Sequence, residues 1–254
     1  MILSFEGIKN VRDISEIRRA DGKALKRNKI FRGAELSEAT ENDIKLLKGK
    51  YGVKVIVDFR GESACSERPN KLVPSSHYYN IPSLPAGTIP KGENDTSEEF
   101  AQLMERPMEM FMKIYEALAL SEESADAYKK FFHILIDNNC PSVYLHCKQG
   151  KDRTGIAMFL LLTVLGFDRE DIINDYLMTN DAMKPEFDRL KNEGVLNDKH
   201  KLELYTVIML VRRECIEKYI SLINDKYGSV DSYIRNRLGI DEDKVKLLQK
   251  GYLE

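Results

Sequence analysis

One stretch constrains the fold of this chain more than any other, because a short apolar run, a polar loop and a longer apolar run follow one another directly. Residues 143–155 read VYLHCKQGKDRTG, and residues 156–167 read IAMFLLLTVLGF. The first run is typical of a buried strand, and the second is apolar almost all round, as a buried helix is. A strand, a loop and a helix in succession predict an α/β fold.

The rest of the chain offers further strands and helices. The β-branched run 53–59 predicts a buried strand, the segment 29–36 starts as a strand, and 77–81 is a weaker candidate. Helices are predicted at 40–48 with Thr40 as the cap, at about 123–138, after Asp168 as a cap, at about 202–223, and on either side of Gly239. A helix that opens at Ser97 must be interrupted or kinked by Pro107.

We find no domain boundary in the sequence, so a single domain over 1–254 is expected. The segment Pro82–Thr96 holds three prolines and two glycines and predicts a long loop, of a kind that is commonly functional or disordered. Methionines at 104, 108, 110 and 112 follow it and are expected in the core. The alternative is a helical lid, inserted at about 97–120, that covers a functional site as an adaptable apolar surface.

Composition and charge restrict the class of protein and its partners. Of the 254 residues, 43% are hydrophobic and 31% are charged, which is typical of an ordinary soluble globular protein. The formal net charge of -2 argues against nucleic acid as the main partner, and no apolar run is long enough to span a bilayer. No secretory signal is visible at the start, so a cytoplasmic location is expected, while export without a visible signal stays open.

The four cysteines, at positions 65, 140, 147 and 215, are scattered and form no C-x-x-C pair. This spacing favours neither a disulfide framework nor a zinc knuckle, and a reducing compartment is the default for such a chain. No ligand set for a metal is evident, so neither a metal nor another cofactor is expected.

The polar loop is suited to binding an anion. Cys147 is followed by five residues and then Arg153, and so short a loop, closing onto a helix N-terminus, points several backbone N–H groups at one spot. Gly150 permits a tight turn because it lacks a Cβ, and the planar guanidinium of Arg153 can grip two phosphate oxygens. The sequence therefore predicts a phosphate cradle with Cys147 at its floor.

A cysteine in such a cradle is predicted to be a nucleophile. The cradle favours the thiolate, with a pKa in the range of roughly 3.5–7.5 that is found at helix N-termini. A thiolate beneath a phosphate is placed for in-line attack on phosphorus, and the Thr154 hydroxyl could hydrogen-bond the sulfur when it becomes the leaving group. The alternatives fit less well: Cys147 could be a small buried hydrophobic residue, and GKDRTG lacks the spacing of a nucleotide-binding P-loop.

The segment HCKQGKDRTG resembles the active-site loop of the cysteine-dependent phosphatases, and more narrowly that of the atypical bacterial tyrosine phosphatases. The similarity extends over nearly the whole chain, through NVRDIS (10–15), IFRGAELSEAT (30–40), VIVDFRGESACSERP (55–69), DYLMTN (175–180) and YGSVDSYIRNRLGI (227–240). Val11 and Ser15 depart from the aromatic residue and the glycine of that family. The resemblance implies a central, mostly parallel sheet with helices on both sides, and activity on phosphotyrosine and often on phosphoinositides.

The same resemblance implies roles for individual residues. Cys147 would be the nucleophile, Arg153 the phosphate binder, and His146 the residue that orients the cysteine and tunes its pKa. The other phosphate- or substrate-binding positions are Lys148, Gln149, Gly150, Lys151 and Thr154. Both lysines of the loop could reach additional phosphates, and the alternative is a pair of solvated side chains.

Asp152 is the predicted general acid. A carboxyl group beside a bound phosphate is easiest to understand if it is protonated and donates to the leaving oxygen, and this position resembles the acidic position of the family loop. The alternatives are a carboxylate that pairs with Lys151 or a helix-end amide, or a general acid at Asp58, Glu93 or Asp95.

Several residues outside the loop have open roles. Asp58 and Arg60 either line the mouth of the site or form a structural salt bridge. Structural roles are expected for Arg12, Asp13 and Arg32. Cys65 is a candidate to form a disulfide with Cys147 on oxidation.

Three classes of function compete. The leading one is a phosphomonoester hydrolase that acts on a phosphorylated protein or a phosphoinositide through a phosphocysteine intermediate. A rhodanese-like sulfurtransferase also uses a cysteine in an anion-binding loop, but HC before the loop and RTG after it favour the phosphatase. An inactive phosphate-binding module is the third, and the presence of both Cys147 and Arg153 argues against it.

Overall fold

Parallel strands end at one level beside the loop that follows His146. The computed structural model describes residues 1–89 and 105–254. Its strands are β1 (Arg12–Asp13), β2 (Ile30–Gly33), β3 (Val55–Asp58), β4 (His77–Asn80) and β5 (Val143–His146). They form one sheet in the order β1-β2-β5-β3-β4, in which only the β1–β2 pair of these strands is antiparallel. Gly33 and Asp58 both lie opposite His146, so the ends of β2 and β3 flank the loop.

Helices make up most of the remaining described chain. They are α1 (Glu41–Lys45, continued by a π-helical turn over Leu46–Lys50), α2 (Glu62–Glu67), α3 (Pro107–Leu120), α4 (Glu122–Asp137), α5 (Asp152–Leu165), α6 (Arg169–Asn192), α7 (Lys199–Met209), α8 (Arg213–Tyr227), α9 (Val230–Ser232, continued by a π-helical turn over Tyr233–Arg237) and α10 (Glu242–Tyr252). The predicted cap of α1 is confirmed, because the Thr40 hydroxyl accepts a hydrogen bond of 3.1 Å from the Asp43 amide.

The two faces of the sheet are covered unequally. Side chains alternate along a strand, so Val57 and Leu145 belong to a large core shared with α3, α4, α5, α6, α8 and α10. Ile56 and Tyr144 face the other way, into a smaller core that includes Leu47 of the turn after α1. The implied arrangement, a mostly parallel sheet with helices on both sides, is confirmed.

The helix predicted at about 202–223 is wrong in one respect, because the structure divides it into α7 and α8. Leu210 has an extended backbone with ψ of 166°. The Asn180 side chain accepts a bond of 2.8 Å from the Val211 amide and donates one of 3.0 Å to the Val211 carbonyl. A neighbouring helix thus satisfies the backbone of the break, which helical spacing in the sequence does not show.

Two other expectations for helices also change. Pro107 begins α3, where its missing N–H costs nothing, and the predicted start at Ser97 lies outside the described residues. Asp168 precedes α6 but its side chain makes no capping hydrogen bond.

Tyr115 and Leu118 of α3 are fully buried in the large core, so the described part of the segment considered as a lid packs firmly against α8.

Of the helices in the described residues, none is long and apolar enough to cross a membrane.

Candidate active site

The loop from Cys147 to Lys151 connects the end of β5 to the first turn of α5 and turns sharply at Gly150. The φ of Gly150 is +68°, a left-handed conformation that favours glycine. A Cβ added there would lie 2.0 Å from the Gly33 carbonyl oxygen. The turn therefore presses the loop against the end of β2, as the position of Gly150 in the sequence predicts.

Hydrogen bonds from outside hold the carbonyl groups of the loop. The Lys148 carbonyl accepts from the Glu35 amide at 3.1 Å, and the Gln149 carbonyl accepts from the Asn10 side chain at 2.9 Å. Arg32 donates to the Gly150 and Lys151 carbonyls at 2.8 and 3.2 Å. With the carbonyls engaged in this way, the backbone amides are left for the opposite side of the loop.

The amides of the loop are free on one side, as the predicted anion cradle requires. Among the described residues, the backbone N–H groups from Lys148 to Thr154 have no hydrogen-bond acceptor. The last three of them belong to the first turn of α5, whose dipole also attracts negative charge. The arrangement is suited to bind the oxygens of a phosphate group.

Arg32 owes its position to a buried ion pair that sequence reasoning did not find. Its Nη1 donates to the Asp175 carboxylate of α6 at 2.8 Å, and Arg12 lies beside the same carboxylate, with Nε at 3.6 Å. Arg12 also donates to the Thr179 hydroxyl at 3.3 Å. The segments RD, FR and DYLMT therefore converge behind the loop, and Arg12 and Arg32 have structural roles, as expected.

Cys147 and Arg153 are both largely buried at the two ends of the loop. Only 2% of Cys147 and 9% of Arg153 is exposed. Arg153 Nη1 donates to the Phe59 carbonyl at 3.4 Å, and the Tyr128 hydroxyl donates to the Arg153 carbonyl at 3.1 Å. The Thr154 hydroxyl is buried and has no hydrogen-bond partner within the described chain, as suits a group predicted to interact with the cysteine sulfur.

His146 is buried behind Cys147 and makes contacts through both ring nitrogens. Its Nδ1 donates to the Cys147 carbonyl at 3.0 Å, and its Nε2 accepts from the Asn70 side chain at 3.1 Å. Burial lowers the pKa of His146, against the opposing effect of Asp58. A neutral ring protonated on Nδ1 satisfies both contacts and orients the cysteine backbone, in line with the predicted role.

Asp58 and Arg60 form a fully buried ion pair. Arg60 donates to the Asp58 carboxylate from Nη2 at 2.8 Å and from Nε at 3.0 Å, and the Tyr78 hydroxyl donates to it at 2.8 Å. Burial would raise the pKa of Asp58, but Arg60, through its hydrogen bonds and its positive charge, outweighs burial and lowers it. Such a carboxylate is a poor proton donor near neutral pH, so the salt-bridge alternative is favoured for this pair.

The two lysines of the loop have different environments. Lys148 is exposed, whereas only 2% of Lys151 is exposed. The Lys151 ammonium donates to the carbonyls of Val207 and Leu210 at 2.8 and 3.0 Å and lies 4.6 Å from the centre of the Phe111 ring. Lys151 is therefore not a solvated side chain, and in this arrangement only Lys148 has an ammonium in solvent.

Asp152, the first residue of α5, is held by groups that the sequence analysis missed. The Tyr115 hydroxyl donates to its carboxylate at 2.7 Å, and Lys151 Nζ lies 3.6 Å from the other oxygen. Tyr115 also contacts the Tyr176 hydroxyl at 2.6 Å. The pairing with Lys151 considered in the sequence analysis is present, and the role of general acid stays a prediction.

The other candidate acids and the candidate resolving cysteine have different outcomes. Glu93 and Asp95 lie outside the described residues. Cys65 is half-buried, and its Sγ lies 3.5 Å from Asp58. Burial, followed by the Asp58 charge, raises the pKa of the Cys65 thiol. A disulfide with Cys147 stays a prediction.

A cleft of about 280 Å³ adjoins the loop at Lys148 and Gln149. One wall is apolar and comes from α6 and α7, with Met183, Leu190 and Ile208 among its residues. The cleft can therefore receive an apolar or aromatic group beside a cation.

The sequence matches the tyrosine phosphatase family over residues 3–254. The chain belongs to this family. A Cupriavidus necator protein provisionally named a tyrosine-protein phosphatase is 25% identical over 250 residues, which cover 96% of this chain and 86% of the relative. The triple specificity protein phosphatase PtpB of Mycobacterium tuberculosis is 26% identical over 274 residues, with 96% of both chains covered.

Among solved structures, the core catalytic domain of the PP-IP phosphatase SIW14 from S. cerevisiae, in complex with citrate, is similar to 87% of this chain. The match covers 96% of that domain at 12% identity with a TM-score of 0.39, too low to support an argument.

Family membership makes the protein a protein-tyrosine phosphatase and excludes the sulfurtransferase alternative. The roles of individual loop residues stay predictions.

Proposed function

We propose that the protein hydrolyses phosphate monoesters, phosphotyrosine above all, through a phosphocysteine intermediate on Cys147. One observation carries this proposal: the carbonyls of the loop from Lys148 to Lys151 are engaged from outside, while the amides above the cysteine have no acceptor among the described residues. Such a cradle binds a phosphate group without a metal, since its amides, the α5 dipole and Arg153 supply the positive potential.

In the first chemical step, the Cys147 thiolate attacks phosphorus, the bond between phosphorus and the ester oxygen breaks, and the electron pair leaves with that oxygen. Asp152, in its acid form, gives the leaving oxygen a proton. In the second step a water attacks the phosphocysteine, the phosphorus–sulfur bond breaks, and the Asp152 carboxylate takes the proton of the water. The Thr154 hydroxyl stabilises the departing thiolate. Inorganic phosphate and the starting enzyme result.

A second substrate class, the phosphoinositides and inositol phosphates, is favoured by the exposed ammonium of Lys148. A substrate with several phosphates places charge outside the cradle, where this lysine lies. The adjoining cleft offers an apolar wall, while its Arg68 is already paired with Glu35 and Glu38. The name of the Mycobacterium tuberculosis relative, a triple specificity phosphatase, supports a broad range.

A panel of substrates tests the proposal. We expect release of phosphate from a phosphotyrosine peptide and from soluble inositol phosphates, with full activity in EDTA. Cys147→Ser should bind vanadate and turn nothing over, because an alcohol is a far weaker nucleophile than a thiolate at neutral pH. Turnover by the pure serine variant would contradict the covalent mechanism. Failure of both variant and wild type to bind vanadate would contradict the cradle itself.

The proposal extends to domain organisation and location. A single phosphatase domain over 1–254 is supported by the family match to residues 3–254. A cytoplasmic location is supported by the four free cysteines, and cell fractionation tests it.

A further inference from the structure

An open cleft of about 490 Å³ lies at the amino ends of the parallel strands, at the sheet edge opposite the phosphate cradle. Lys29 and Lys54 directly precede β2 and β3, and His77 is the first residue of β4. Because these strands are parallel, their starts meet at one edge, and three basic side chains that are distant in sequence come to line one cleft.

Among the residues that the structure describes, no carboxylate lines this cleft. Its polar lining consists of Lys29, Lys54, His77, Ser75, Asn138, Asn139 and Ser142, all of which can donate hydrogen bonds. The adjoining segments 22–34 and 45–57 also contain no Asp or Glu. In a chain with a formal net charge of -2, this is a local concentration of positive charge.

The basic side chains are available to a ligand. Lys29 Nζ donates to the Cys140 carbonyl at 3.0 Å, which fixes it and leaves two of its three N–H groups. Within the described chain, the side chains of Lys54 and His77 have no hydrogen-bond or ion-pair partner, and both residues are exposed. Basic side chains that converge without a neutralising carboxylate attract a multivalent anion.

We propose that this basic cleft is a second, non-catalytic site that binds a polyanion carrying two or more phosphate groups. One phosphate would lie between Lys29 and Lys54, and the neutral donors of the rim would hydrogen-bond the rest of the ligand. The ligand is either a soluble polyphosphate or the headgroup of an anionic lipid. Binding to a lipid surface here would turn the loop of Cys147 away from that surface, since the two sites lie at opposite edges of the sheet.

The test uses the full chain with its cradle saturated by vanadate, so that only a second site can respond. Inositol hexakisphosphate is titrated by calorimetry, and vesicles with and without phosphatidylinositol 4-phosphate are tested by co-sedimentation. We expect one further molecule of the soluble probe to bind, and Lys54→Glu to weaken it roughly tenfold or more, because an attraction becomes a repulsion. Lys130→Glu, an exposed lysine outside the cleft, should have little effect.

Both variants should keep wild-type turnover of p-nitrophenyl phosphate, which shows that they are folded. The proposal is overturned if vanadate abolishes all binding of the probe, or if Lys54→Glu and Lys130→Glu bind it equally. Binding of vesicles but not of the soluble probe would assign the cleft to lipid headgroups, and the reverse would assign it to soluble polyphosphates.

Discussion

The hydroxyl of Tyr115 donates a hydrogen bond of 2.7 Å to the carboxylate of Asp152, from a tyrosine that is fully buried between α3 and the core. The Tyr176 hydroxyl, 2.6 Å away, completes a short chain of hydrogen-bonding groups. Burial, with the nearby Asp152 charge, raises the pKa of Tyr115 well above its usual range, so this hydroxyl stays a donor. The pair fixes the direction of the group that we propose as the general acid.

Tyr115→Phe should therefore lower kcat for phosphotyrosine by about tenfold with little change in KM, because it frees the Asp152 carboxyl group without touching the phosphate cradle. In the wild type this hydrogen bond stabilises the carboxylate form of Asp152. Its loss makes the carboxyl group easier to protonate, so the basic limb of the rate profile should move to higher pH. Rates measured from pH 4 to pH 9 check both effects. Tyr176→Phe, which keeps the bond to Asp152, is the control, and equal pH profiles for both variants would contradict a positioning role.

Asp152→Asn should reduce turnover by about 10²–10⁴-fold for alkyl and tyrosyl phosphates, which need a protonated leaving group. The loss should be much smaller for substrates whose leaving group is already a weak base. A series of aryl phosphates of graded leaving-group acidity measures this slope. If Asp152→Asn keeps the wild-type slope while Asp58→Asn or Asp95→Asn steepens it, the acid is that other residue.

Asp58→Asn should destabilise the fold by about 1–3 kcal/mol, because the buried Arg60 guanidinium loses one of its two carboxylate partners and keeps only Glu35. The folded-state pKa of Asp58 is lowered to about 2. Its stabilisation is therefore complete above the unfolded value of about 4 and is lost as the pH falls towards 2. Urea unfolding of the two proteins should differ most above about pH 5 and converge below about pH 3.

Asp126→Asn serves as the control for that experiment. Its carboxylate is exposed and pairs with Arg237 at the surface, where solvent screens the interaction. We expect almost no change in unfolding. A loss of stability as large as that of Asp58→Asn would show that breaking any ion pair has this effect. It would contradict a special contribution from the buried pair of Asp58 and Arg60.

Lys148→Met and Lys151→Met should separate the two lysines of the loop. Lys148→Met should lower hydrolysis of inositol polyphosphates more than that of p-nitrophenyl phosphate, by about tenfold in relative kcat/KM. Lys151→Met should instead cost about 1–3 kcal/mol of stability, because the Val207 and Leu210 carbonyls lose their donor. Phosphatase assays and thermal unfolding of both variants check this, and a stability loss confined to Lys148→Met would contradict the assignment.

The local features of this protein follow directly from nearby residues of its sequence. The apolar run before Cys147 and the one after Gly155 predict β5 and α5, and Gly150 predicts the turn between them. Each of these signals lies within a few residues of the structure that it specifies, since hydrophobic periodicity and backbone freedom act over one turn or one strand. The spacing from Cys147 to Arg153 likewise predicts the cradle, because a single short loop is enough to form it.

The packing of the helices against the sheet selects the distant side chains that support that loop. Asp175 meets Arg32 across 143 positions, and Tyr115 reaches Asp152 across 37. The break after α7 depends in the same way on Asn180, 31 residues before Val211. Such partners are chosen by how helices pack against the sheet, which depends on the whole core at once. No local pattern in the sequence records that choice, although it fixes both the loop and its proposed acid.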